Sequence, residues 1–244
     1  MASEDERIST ALRLEAQQAG RPMATTDGEH MRVLYSERFG GDEEFRRAMW
    51  AVLAEKFFQR YVPTGSVLVD IAAGGCEFVN AIKARERIAV DVNPAVARAA
   101  GPGVRAIVGP AHDMADLADA SVDIVFASNF FEHLYRDDIL AVMAEARRVL
   151  KPTGRFLILQ PNIRYCSKDY WMFFDHVTPL DEHSLGEALA MSGFRVESMI
   201  KRFLPFSTKG RLPKTTFLVR AYLAVPPIWR LLGAQSFVVA EPVG

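Results

Sequence analysis

The sequence predicts an α/β protein built on a doubly wound, largely parallel sheet, and three observations carry that reading. Short apolar runs of strand length alternate with helical patterns from residue 63 onward. The first run, Ser66 to Ile71, is nearly continuous in its apolar character, as expected of a strand covered on both faces. It leads straight into four small residues, Ala72-Ala73-Gly74-Gly75, and a helix beginning near Cys76. A small-residue turn after a buried strand lets backbone approach a ligand, at the sheet edge where open α/β folds bind one.

The elements follow in order. Arg7 to Gln18 has a weak helical pattern, and Gly20 to Gly28 reads as a loop. Tyr35 to Gly41 reads as a connector, with a flap over a ligand as the alternative. Asp42 is placed as the N-cap of a helix running to Tyr61, with Phe45, Met49, Val52, Leu53 and Phe57 on one face. After the first strand and helix come a second strand, Arg87 to Asp91, a helix from Pro94 to Ala100, and a third strand, Val104 to Val108. Val122 to Ala127 is the fourth strand. Asp137 to Leu150 carries Ile139, Val142, Met143, Ala146 and Val149 at helical spacing, and Pro152 and Gly154 stop it before the fifth strand, Arg155 to Gln160. Asp181 caps one more helix, and Phe194 to Phe203 and Ser236 to Ala240 close the series as strands.

Composition narrows the function. With 244 residues, 50% hydrophobic and 24% charged, the chain describes one globular domain with a substantial core. A net charge of −1 argues against general nucleic-acid binding. Two cysteines, Cys76 and Cys166, fit neither a disulfide framework nor a metal or redox pair, so a reducing, cytoplasmic setting is the expectation. The acidic N-terminus has no signal-peptide core. The late apolar segment Phe217 to Leu232 is interrupted by Arg220, Pro226, Pro227 and Arg230, and a transmembrane span is not expected. Charge is nevertheless uneven: residues 194–230 hold eight basic residues against one acidic.

The ligand is argued from charge. Asp91 ends the second strand 21 residues after Asp70, near the spacing of about 20 at which an acidic side chain meets a ribose diol. On a dinucleotide reading, Glu77 would occupy a glycine position and face a pyrophosphate. A ligand that is cationic rather than phosphorylated suits these acids better.

Here the chain resembles the class I S-adenosylmethionine-dependent methyltransferases. Their first motif, two apolar residues, Asp or Glu, then x-G-x-G-x-G, is matched by V-D-I-A-A-G-G-C, with Ala72 and Cys76 at the outer glycine positions and Gly74 at the middle one. The Glu132-His133-Leu134 segment after the fourth strand is a second likeness. The resemblance implies a Rossmann-like sheet of seven strands with an antiparallel last strand, N-terminal helices and a C-terminal insertion. It implies S-adenosylmethionine as cofactor, held by Asp70, Ala72, Gly74, Gly75, Asp91, Val92, Asp113, Met114, Asn129 and Phe130. It divides the chain into a helical extension or lid (1–62), a methyltransferase domain (63–203 plus 234–244) and a basic, apolar insertion over the acceptor (204–233).

The implied reaction is in-line attack of an acceptor oxygen or nitrogen on the sulfonium methyl group, with small molecules or glycans as acceptors and O-methylation preferred. His176, His133 and Asp175 are the candidates for proton transfer. Asn162, Arg164, Tyr165, Tyr170 and Trp171 are the candidate acceptor contacts, since an aromatic run beside Asp175-His176 suits stacking on flat or sugar rings. Core packing is the plain alternative for that run. No metal is expected, because no cluster along the chain has ligand spacing. The insertion suits an anionic acceptor, or peripheral membrane contact. Other readings are an inactive cofactor-binding module, N-methylation of a small amine, and a nicotinamide-dependent oxidoreductase; oligomeric state is not readable.

Overall fold

The structure, a computed structural model, describes residues 42–206 and 214–243. The expected features at Arg7–Gln18, Gly20–Gly28 and Tyr35–Gly41, and the basic residues Lys209 and Arg211, lie outside them. Helix α1 (Glu43–Lys56) is followed by a 3-10 turn, Phe58–Arg60, and then by β1 (Val67–Ile71), α2 (Glu77–Ala81), β2 (Glu86–Asp91), α3 (Val96–Ala99), β3 (Val104–Val108) and β4 (Val122–Ser128). A 3-10 turn at Phe131–His133 leads to α4 (Arg136–Val149), β5 (Leu150–Pro161), α5 (Ile163–Tyr170), α6 (Glu182–Met191) and β6 (Phe194–Leu204). Helices α7 (Thr216–Ala224) and α8 (Pro226–Leu232) precede β7 (Gln235–Pro242).

The seven strands form one sheet in the order β3-β2-β1-β4-β5-β7-β6. Strands β1 to β5 are parallel, and β7 is antiparallel to both of its neighbours, as expected. The order reverses between β1 and β4, so the carboxyl ends of these two central strands open the crevice that a doubly wound sheet offers a ligand.

Each face of the sheet has its own core. On one, the helical stripe Ile139, Val142, Met143, Ala146 and Val149 packs with Val69, Ile71, Val125 and Ile158. On the other, Phe57, Phe58, Phe78, Phe126, Phe203, Trp229 and Phe237 form an aromatic cluster joining α1, α2, the sheet and α8. The N-terminal helix and the insertion helices therefore share one core with the central domain. Asp42 does not cap α1 with its side chain; it pairs with Lys214 instead, while Arg220 reaches Glu55, so two ion pairs pin the insertion to α1. Among the described residues no helix is long and apolar enough to cross a membrane.

Candidate functional site

The turn after β1 is built from three left-handed residues at alternate positions: Ala72 at φ 53°, Gly74 at 52° and Cys76 at 58°. These are the three positions at which the motif calls for glycine, and the geometry is what glycine supplies without steric cost. Here Ala72 and Cys76 adopt it as well. Cys76 is fully buried, its thiol pushed up to about 12 by burial and by Asp70, Asp91 and Glu77, which makes it a packing residue rather than a nucleophile.

Asp70, at the tip of β1, is buried beneath this turn. Burial, then Asp91 and Glu77, drive its carboxyl well above the usual carboxylate range. Asp91 ends β2, where its Oδ2 accepts from the Gly74 N–H and its Oδ1 from the Asn93 N–H, both at 2.8 Å. Burial raises Asp91 too, against those two hydrogen bonds. Glu77 folds back over the turn, close enough that a Cβ on Gly75 would meet its Oε1 at 2.6 Å, and Arg46 of α1 holds it at 2.5 Å. This pairing with Arg46 is a contact the sequence did not disclose.

The remaining candidates for the cofactor lie along the same edge. Val92 and Asp113 are exposed. Met114 is buried, and its N–H donates to Glu145, which with Arg148 ties the loop after β3 to α4. Asn129 takes a left-handed conformation at φ 49° just past β4, and Phe130 packs partly buried beside it.

Beyond Phe130 the chain gathers Glu132, His133, Asp175 and His176. His133 Nδ1 lies 3.1 Å from Asp175 Oδ2, and its Nε2 lies 3.8 Å from Glu132 Oε1. The two imidazole rings are 5.0 Å apart, and a ligand atom from each of Glu132, His133 and His176 lies within 4.8 Å of the others. Glu132 is 1% exposed and accepts from Gln160 Nε2 at 3.0 Å; burial raises its carboxyl. Burial alone would lower His133, but Glu132 and Asp175 outweigh it and leave the imidazole raised. Val177 and Thr178 donate their N–H groups to the Glu132 carbonyl, lacing the two segments together.

The candidate acceptor contacts divide. Asn162 is buried, caps α5, and gives its amide to Glu182 and to Ser236. Arg164 pairs with the same Glu182, which burial would raise but which Asn162, Arg164 and Lys201 together hold low. Tyr165 lies under the Arg202 guanidinium, and Tyr170 is fully buried, its hydroxyl donating to the Thr178 carbonyl. In these positions four of the five support the fold. Trp171 stands 60% exposed in a short stretch with Met172 and Phe174.

Residues 69–158 match the methyltransferase domain family model. A stretch of 89 residues is 37% identical to a probable S-adenosylmethionine-dependent methyltransferase of Mycolicibacterium smegmatis, covering 36% of this chain and 34% of the relative. Over these residues the chain is similar to S-adenosylmethionine-dependent methyltransferases. The chain spans about a third of that curated relative's length. Among solved structures, an S-adenosylmethionine-dependent methyltransferase from Archaeoglobus fulgidus superposes with a TM-score of 0.59 at 19% identity, over 86% of this chain and 99% of that one. The geranyl diphosphate C-methyltransferase of Streptomyces coelicolor does so at 0.54 and 16% identity, over 78% and 77%.

The residues around the turn fit S-adenosylmethionine, the cofactor of the proteins matched. Two buried carboxyls, Asp70 and Asp91, sit beside the turn, and the repulsion that Asp70 feels from Asp91 is relieved by a cation and worsened by a phosphate. Each Asp91 oxygen takes one backbone N–H, which leaves lone pairs for hydroxyl donors.

Proposed function

We propose that this chain methylates an oxygen of a small-molecule or glycan acceptor. The observation that carries the reading is the turn itself: left-handed residues flanked by the buried carboxyls of Asp70 and Asp91. Bound there, S-adenosylmethionine supplies an electrophilic methyl carbon on a sulfonium. The chain's part is to orient it. Asp91 would accept from the ribose hydroxyls, Asp70 would answer the cationic end, and Met114 and Phe130 would wall the adenine side. Phe206, where the insertion begins, has its ring 5.6 Å from Phe173 and 6.3 Å from His176. That contact supports a role for 204–233 as a cap on the acceptor side, and its basic character favours an anionic acceptor.

The test is calorimetry with S-adenosylmethionine followed by an acceptor screen read by S-adenosylhomocysteine release. Loss of a charge-assisted hydrogen bond is worth about 1.5–3 kcal/mol, so Asp91→Ala should weaken cofactor binding roughly 10- to 150-fold. Unchanged affinity in a variant with native circular dichroism would reject the role of Asp91, and no binding by the unaltered protein would reject the function.

A further inference from the structure

Spacing along the sequence hides one grouping that the fold creates. Glu132 and His133 end the turn after β4, while His176 arrives from 43 residues later, beyond α5. We infer that Glu132, His133 and His176 form a binding site for a divalent first-row transition metal such as Zn²⁺, with Asp175 as the residue that positions His133.

The geometry is that of ligands around a shared centre. With bonds of about 2.0–2.2 Å, two ligands of one tetrahedral ion stand roughly 3.4 Å apart. His133 Nε2 and Glu132 Oε1 are 3.8 Å apart, and the whole set lies within 4.8 Å, so small side-chain rotations close it. The tautomer is arranged in advance. Asp175 Oδ2 sits 3.1 Å from His133 Nδ1, which fixes the proton there and leaves the Nε2 lone pair facing Glu132. Gln160 holds the other Glu132 oxygen from the far side, and the two backbone bonds to the Glu132 carbonyl fix the separation of the segments.

Charge points the same way. Among the described residues no lysine or arginine pairs with Glu132, although its carboxylate is 1% exposed and a second carboxylate, Asp175, is close by. A buried anion of this kind is stabilised by a cation. Two imidazoles and one carboxylate select zinc, iron, cobalt or nickel over magnesium or calcium, which prefer oxygen alone. His176, 7% exposed, is walled by the Tyr170 and Phe173 rings at 4.6 and 5.0 Å, while the His133 side chain is 26% exposed and leaves the centre one open side. Three protein ligands with an open fourth position is the arrangement that accepts a water or substrate oxygen. Resting on the methyl-transfer reading, the acceptor class narrows to hydroxylated compounds that can offer an oxygen to the metal. The two imidazoles then act as ligands in place of the proton acceptors expected from sequence.

The full chain, stripped with a chelator and desalted, should be titrated with Co²⁺ while visible d–d absorption is followed, then back-titrated with Zn²⁺. One saturating equivalent, displaced by Zn²⁺, is expected. His176→Ala and His133→Gln should weaken binding by at least about tenfold, and Asp175→Asn by roughly 10–100-fold with stoichiometry kept. Circular dichroism establishes that each variant is folded. Absence of saturable binding by the folded unaltered chain, or an unchanged Kd in folded His176→Ala and His133→Gln, overturns the site. Cofactor calorimetry on the same samples separates the outcomes: normal S-adenosylmethionine binding without a cobalt spectrum removes the metal alone, and a cobalt spectrum without cofactor binding removes methyl transfer alone.

Discussion

Asp70 is buried at the carboxyl end of β1. Its carboxyl is fully buried, faces Asp91 and Glu77, and is held well above the ordinary value of about 4. A group raised in the folded state binds its proton more tightly there than when unfolded. The stability it contributes is therefore complete below about pH 4 and is lost as pH rises through the folded value. Asp70→Asn removes that loss. Its melting temperature should match the unaltered protein near pH 4 and exceed it by a margin that grows toward neutrality. A margin independent of pH would show that Asp70 carries no buried charge. Removing the ionisable group should also weaken the cofactor, so the gain in stability and the loss of function share one atom group.

At the scale of elements, the turn between β1 and α2 shows how a fold can be legible while its details are not. The apolar runs and small residues located the turn, the crevice and Asp91 at the end of β2. Their register follows from simple periodicity, which is why β3 begins and ends where the pattern placed it. What the sequence concealed is that Ala72 and Cys76 keep the left-handed backbone of the glycines they stand in for. A non-glycine residue there costs about 1–2 kcal/mol, against about 0.5–1 kcal/mol of extra chain entropy lost by glycine. Ala72→Gly should accordingly gain about 0.5–1 kcal/mol in urea unfolding, and a loss of that size would mean the methyl group has packing the backbone angle does not reveal. Helices α5, α7 and α8 were not legible. Helix α5 is short and kinked at Cys166, and α7 and α8 are apolar without a clear period. The candidate site was half legible for a related reason: residues that share a strand end can be read together, whereas His176 comes near Glu132 where the Val177 and Thr178 N–H groups bond the Glu132 carbonyl, a contact between two loops. The amide of Asn162 donates to Glu182 and Ser236, partners that lie 20 and 74 residues away and that a polar residue at a strand end does not announce.

The whole molecule is held by the aromatic cluster on one face of its sheet. Phe57 stacks on Phe203 at 3.9 Å and meets Trp229 and Phe237 edge-on at 5.8 and 5.2 Å, so a single ring touches β6, α8 and β7. Phe57→Ala should cost about 3–5 kcal/mol, a large part of the 5–15 kcal/mol typical of a domain, and denaturant unfolding would measure it. A cost below about 1 kcal/mol would show that α1 is held mainly by its ion pairs with the insertion. The cluster also has a consequence in time. Phe57 precedes Phe237 by 180 residues. At a synthesis rate of about 5–20 residues per second, roughly 9–36 s separate the emergence of the helix from that of its last partner. The first described element of the chain is thus seated among the last, and until then its apolar face is in the care of the cell.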